Sequence, residues 1–366
     1  MSKDNKPKYQ DIGGQAVMEG VMMQSPASET MAIAVRRPSG RIVVTCEKRE
    51  PLSRKHKWMG WPLIRGCVNM VTMLAMGMGT LDKSTQMLGM LEEEPTKFEK
   101  WLADKLGASI DKVVMAVAMV LAVALSLFLF VALPTGAATL AGKLIDNRIV
   151  INLISGVVRI AILVGYMWAV GFVPDIRRVF MYHGAEHKTV YCNEAGLELT
   201  PENARQFSCL HPRCGTAFMF LVMFISILVG SVADQVIYLL FGIEKLGFFL
   251  RFGRSLLILP LITGISYEAL KGLAHAGDHI LVRALRWPGL MLQHLTTREP
   301  DDKMLEVAIA AMKAAKAGSE NWKKTLGGNV SEYVDEEHEQ KADKAGEETA
   351  EEAAEETAEE TAEGNA

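Results

Sequence analysis

VVMAVAMVLAVALSLFLFVAL, residues 113–133, runs for 21 positions without a charge, a glycine or a proline, and Pro134 follows it. At 1.5 Å per residue this run covers roughly 30 Å, the hydrocarbon thickness of a bilayer. It predicts a transmembrane helix ending at Pro134. Three further runs follow: 149–173, with Arg159 near its middle; 216–241, with Asp234 towards its far end; and 255–273. The last contains Pro260, Gly264, Glu268 and Lys271, a pattern that suits a broken helix shielded by protein. The fold class expected is an α-helical polytopic membrane protein with about four transmembrane helices. Charges inside spans usually pair, which predicts an Arg159–Asp234 contact between the second and third.

The rest of the chain fits this frame. Of its 366 residues, 49% are hydrophobic, and mean hydropathy is positive. The net charge of −4 is unevenly spread: residues 331–366 hold 15 acids and 2 Lys, leaving the first 330 residues at +9. That Glu/Ala/Thr-rich tail reads as solvated and disordered. A basic body suits an anionic membrane surface, or reflects ordinary positive-inside bias. Five cysteines at irregular spacing imply no disulfide framework and favour a reducing compartment. Arg177, Arg178, Lys188, Arg205 and Arg213 crowd residues 174–215, whereas 134–148 has only Lys143 and Arg148. Positive-inside bias then places 174–215 and both termini in the cytoplasm.

Outside the bundle (113–285), residues 1–60 form an N-terminal cytoplasmic region. In it, Gly-rich 11–23 precedes two β-prone runs around Pro38-Ser39-Gly40, a β-hairpin signal. Residues 61–112 are expected to form interfacial and amphipathic helices. Within them, GCVNMVTMLAMGMGTL (66–81) is short for a span and reads as a helix lying on the membrane or packed on the bundle. In the C-terminal helical region, 286–330, Asp301 or Asp302 can cap a helix with Leu305, Ile309 and Met312 on one face.

The chemistry concentrates in YHGAEHKTV (182–190). On a helix, His183 and His187 at i, i+4 point the same way and can share a metal. Glu186 would then sit beside it as acid/base, the H-x-x-E-H arrangement of a class of metallohydrolases. Catalytic zinc usually takes a third protein ligand, for which His211, Cys214 and Glu268 are candidates, with Cys192 and Cys209 behind them. The competing reading makes these histidines polar dressing at a membrane boundary. All the reactive-looking segments fall on one side of the expected membrane.

Five strings, GGQAVMEGVMM (13–23), YHGAEHKTV (182–190), HPRCG (211–215), GISYE (264–268) and LTTREPDD (295–302), occur in this order. Together they resemble the YqhQ-like bacterial membrane family, a domain of unknown function that carries the label of a metal-dependent enzyme. The resemblance covers about residues 9–318. It implies functional weight for Gln15, Glu19, His183, Glu186, His187, His211, Cys214 and Glu268, with Tyr267 and Arg298 in the same strings. Cys209 departs from the expected pattern.

The function expected is a cytoplasmic-face divalent-metal site, most readily zinc, in a metal-dependent hydrolase acting on an anionic lipid or phosphorylated membrane substrate. The alternative is a non-enzymatic assembly or regulatory factor whose His/Glu/Cys motifs are structural joints. Nothing points to nucleic acid.

Overall fold

The Gly-rich stretch near the start of the chain folds as strands. The computed structural model describes residues 12–49, 56–89, 110–243, 247–276, 279–326 and 330–332. Residues 90–109, part of the stretch expected to form interfacial and amphipathic helices, and the tail beyond 332, expected to be disordered, lie outside the described residues. Strands β1 (Gly13–Val17), β2 (Gly20–Ser25), β3 (Thr30–Arg36) and β4 (Ile42–Lys48) form an antiparallel meander. β5 (Val330–Glu332), whose last two residues were assigned to the tail, lies parallel to β4. The expected hairpin is β3–β4; its turn is closed by the Gly40 N–H donating to the Arg37 carbonyl at 2.8 Å. β1 and β2 escaped the sequence pattern because Gly13, Gly14 and Gly20 interrupt the alternation that marks a strand.

Twelve α-helices follow among the described residues. α1 (Ile64–Leu88) is longer than the apolar run inside it. α2 (Ile110–Leu127) passes through a π-turn, Phe128–Ala132, into α3 (Leu133–Ala141). The helix expected to stop at Pro134 therefore continues through it. Proline removes one backbone donor and crowds the preceding turn; the π-turn absorbs the misfit, and Ser155 Oγ donates to the Pro134 carbonyl at 3.1 Å. α4 (Arg148–Val170) is capped by Asn147. α5 (Pro174–Glu194) starts almost at once, so the expected 174–215 loop is mostly helix, followed by short α6 (Pro201–Arg205). Then come α7 (Thr216–Phe241), α8 (Phe248–Leu257), α9 (Leu259–His275) and α10 (Ile280–Thr296). α11 (Asp302–Ala317) is capped by Asp301, which accepts from the Met304 N–H at 2.8 Å, as its sequence predicts. α12 (Trp322–Leu326) leads to β5.

The sheet is buried on both sides. Val21, Met23, Ala32, Ala34 and Val44 face Tyr182 and Ala185 of α5 and Leu305, Ala308 and Met312 of α11. Alanines on both β3 and α11 let helix and sheet approach closely. Alternate residues Met22, Met31, Ile33, Val35 and Val43 face Met76, Met87 and Leu88 of α1. The first half of α1 packs elsewhere, against α9: Arg65 pairs with Glu268, and Cys67 Sγ lies 3.1 Å from the Pro260 carbonyl. α1 thus bridges the sheet layers to the apolar helices.

Among the described residues, four helical stretches are long and apolar enough to cross a membrane: Ile64–Leu88, Val117–Ala141, Ile149–Val170 and Phe218–Phe241. The pair Phe248–Leu257 and Leu259–Leu273, bent by 47°, would make a fifth. This differs from the four runs expected by including α1, although its second half is occupied by the sheet. The expected Arg159–Asp234 pair is not formed. Arg159 Nη1 donates to Ser226 Oγ at 2.6 Å, while Asp234 accepts from Arg254 at 2.5 Å and from Asn152 at 2.9 Å. α8, not foreseen as a helix, brings its own arginine closer to the carboxylate.

Leu305 is fully buried between sheet and helices, whereas Leu121 is 64% exposed on α2. Leu305→Ala should cost about 2–5 kcal/mol of unfolding free energy, and Leu121→Ala about 0.5 kcal/mol or less. Denaturant titration of detergent-solubilised protein measures both; equal losses would contradict this core.

Candidate metal centre

α5 carries the site because it is enclosed on several sides. Its motif is helical despite Gly184, and the glycine is there for a reason of packing. A Cβ at Gly184 would collide with the Arg298 carbonyl and lie 3.2 Å from Cys209 Sγ. Only a bare Cα admits the segment linking α10 to α11, whose Arg298 N–H donates to the Phe180 carbonyl at 2.9 Å. Gly14 does the same on the opposite side, since a Cβ there would stand 2.8 Å from Glu186 Cγ. Glu19, at a left-handed φ of 49° in the β1–β2 turn, is clamped by Arg178 and the Tyr182 hydroxyl of α5.

Within this frame His183, His187 and Cys214 bring their ligand atoms within 4.8 Å of one another. His183 Nδ1 lies 2.9 Å from the Thr296 carbonyl, and His187 Nδ1 meets the Cys209 carbonyl. A carbonyl only accepts, so each Nδ1 carries the hydrogen and each Nε2 presents its lone pair. His183 Nε2 is 3.3 Å from Cys214 Sγ, and His187 also bonds Cys214. Thr216 Oγ1 donates to the same sulfur at 3.3 Å. Two lone pairs and a sulfur converge, with only the thiol proton to share between the imidazoles. Burial pushes the His187 imidazole down, keeping it neutral, although its bond to Cys214 opposes this.

Glu186 is buried, with its carboxylate 3.4 Å from His187 Nε2. Burial raises its pKa; a proton taken up by His183 or His211 would oppose this, as does the Gly14 N–H donating to it. Such a carboxyl is poised to take up and release a proton.

The other expected residues are dispersed. His211 stacks near the centre, its ring 5.6 Å from that of His187, but its Nδ1 accepts from the Arg213 N–H at 3.3 Å. Its buried Nε2 has no hydrogen-bond partner among the described residues, with Glu194 3.6 Å away. Burial keeps this imidazole neutral too. Glu268 is taken by Arg65 on α1 and joins no metal-capable group among the described residues, which corrects its candidacy as third ligand. Tyr267 packs on Gly66, and Gln15 packs over Gly77 of α1 on the far side of the sheet from Glu186. The Arg298 guanidinium reaches towards Gly171 at the end of α4. Cys192 is buried beside the Glu198 carbonyl, and Cys209 contacts Glu299; burial and that carboxylate push the Cys209 thiol up to about 12.

Two residues that sequence reasoning missed hold the centre together. Gln293 of α10, fully buried, accepts from the His211 N–H at 2.7 Å and donates to the His211 carbonyl at 2.8 Å. Lys188 places its ammonium against the Arg205 carbonyl at 2.9 Å, the Phe207 carbonyl at 2.7 Å and Glu299 at 2.7 Å. All three of its donors are met. A lone Gln in a helix carries no sequence signal, and Lys188 looks like a topological charge.

Residues 61–317 match the model of a family described as "Protein of unknown function (DUF1385)". A Bacillus subtilis (strain 168) protein named "Uncharacterized protein YqhQ" is 33% identical over 309 residues, covering 84% of this chain and 92% of its own. No solved structure matches.

Gln293→Leu strands the N–H and carbonyl of His211, at a cost of about 1–3 kcal/mol for each buried group left unpaired. Amide exchange should accelerate over residues 209–215 and not in β2 or β3. Unchanged exchange there would show that Gln293 does not hold the loop.

Proposed function

Because the chain belongs to the DUF1385 family, described as of unknown function, we infer its role from the site itself: a metal-dependent hydrolase working at the surface of a bacterial inner membrane, with His183, His187 and Cys214 as ligands. One observation carries this reading. Both histidines spend their Nδ1 hydrogen on a backbone carbonyl and turn Nε2 towards one sulfur. Outward hydrogen bonds of this kind orient metal-ligating histidines, and a cation would satisfy three converging donors that a single thiol proton cannot. Two nitrogens and a sulfur suit zinc, and three protein ligands leave a position for substrate or water. A divalent cation held there would polarise a substrate oxygen and lower the pKa of a water molecule.

Glu186 supplies the proton acceptor. Its carboxylate adjoins His187 Nε2 and is held by the Gly14 amide, so it can take a proton from water and return it to a leaving group. Burial of the site keeps competing bulk water away. The apolar helices support a membrane setting, and the excess of basic residues between 174 and 215 supports a cytoplasmic position for the centre and both termini. The +9 charge of the first 330 residues favours an anionic lipid or phosphorylated membrane substrate. The alternative, an assembly factor with purely structural motifs, draws on Glu19 and Glu268, both of which act as joints.

Protein purified in mild detergent should contain about one zinc per chain by elemental analysis. His183→Ala, His187→Ala and Cys214→Ser should each lower that to background, while Glu186→Gln and Glu268→Gln retain it. Chelation should lower the melting temperature of the wild type and leave Cys214→Ser unmoved. Metal-free wild type whose stability ignores chelator, alongside a His187→Ala protein that unfolds, would establish the structural alternative instead.

A further inference from the structure

α4, α7, α8 and α9, with the π-turn and α3, line an open cavity of about 370 Å³ whose walls are mostly apolar, including Leu163, Val222 and Ile262. Three arginines line it: Arg159, Arg251 and Arg254. Asp234 is the carboxylate that meets two of them among the described residues, accepting from Arg254 at 2.5 Å and standing 3.8 Å from Arg251. Among the described residues Arg159 meets only the neutral Ser226 hydroxyl, and Arg251 donates to the Asn152 side-chain oxygen at 3.2 Å. Among the described residues, one acid against three bases leaves two positive charges in excess. The Nε atoms of all three guanidiniums are also buried without a hydrogen-bond partner among the described residues. Charges in apolar bundles are normally paired or turned to a ligand, and buried donors normally have acceptors.

The arginine end of the cavity lies apart from the His/Cys centre, while its other end reaches Phe218, two residues beyond Thr216. Ser226 is ten residues into α7 from Thr216, roughly 15 Å along the axis. Its volume falls within the range of small-molecule sites, and its chemistry is divided: guanidinium donors at one end and aliphatic wall elsewhere. Guanidinium forks match phosphate and carboxylate oxygens, while an alkyl chain matches the wall. We propose that this cavity binds an amphiphilic anion, with its acidic headgroup held by Arg159, Arg251 and Arg254 and its alkyl chain lying along α7 and α9. The site does not depend on metal at the His/Cys centre, and the ligand neutralises the surplus charge that Asp234 leaves.

Dodecyl phosphate is the probe, with dodecanol and inorganic phosphate as the separated halves of its chemistry. Full-length protein in phosphatidylcholine nanodiscs should bind one dodecyl phosphate per chain by equilibrium titration. Affinity should exceed that of dodecanol at least tenfold, and millimolar inorganic phosphate should not compete. Arg159→Gln should weaken binding at least tenfold, and Ser255→Met, which fills the cavity without altering an arginine, should abolish it. Zinc content should stay at the wild-type level in both variants, separating this site from the metal centre. Equal affinity for dodecanol would reduce the cavity to an apolar void, and competition by inorganic phosphate would make it a free-anion site; either result overturns the proposal. So does unchanged binding in Ser255→Met, which remains decisive if Arg159→Gln does not fold.

Discussion

Between Tyr182 and Val190, α5 takes a carboxylate, an imidazole and an ammonium out of water side by side, and each group needs a partner supplied from elsewhere in the chain. Glu186 receives the Gly14 amide from β1, His187 the Cys209 carbonyl, and Lys188 two carbonyls near α6 with the Glu299 carboxylate. A buried polar group without such a partner costs on the order of 1–3 kcal/mol. The sheet, the 200–214 segment and the α10–α11 link are therefore fixed by what α5 requires. Gly14 and Gly184 admit two of these segments, because a methyl group at either position would meet backbone or side-chain atoms already there.

This explains which parts of the molecule could be read from sequence. The apolar runs beginning at 113, 149 and 216 coincide with helices, because hydropathy over twenty residues is a local property. The Asp301 cap and the apolar face of α11 were legible for the same reason. Three of the five candidate ligands converge, since His183 and His187 share a helix face and HPRCG carries Cys214 close by. Glu268 was misplaced because its proximity to α5 was a tertiary inference, and Arg65 is nearer. β1 and β2 were hidden by their glycines, and the route of the helix through Pro134 depended on a π-turn that no residue pattern announces. Gln293 was invisible because its value lies wholly in the two backbone groups it meets across 82 positions.

Charge also carries a different meaning in the folded chain. Among the cations that crowd residues 174–215, Arg178 binds Glu19, Lys188 binds Glu299, Arg205 binds Asp302 and Arg213 binds Glu194. The same residues that bias orientation by their sign are thus joints between distant segments. Within the apolar helices the arithmetic is reversed, with arginines outnumbering the acid that meets them.

The Glu186–Gly14 contact has a bearing on how the molecule behaves among its own copies. β1 borders the sheet on one side, and a border strand offers unpaired amides to any passing chain. Here the Glu186 carboxylate occupies one of those amides, while β5 covers the border at β4. The carboxylate beside the histidines therefore leaves one fewer bare amide on that border for another strand to pair with.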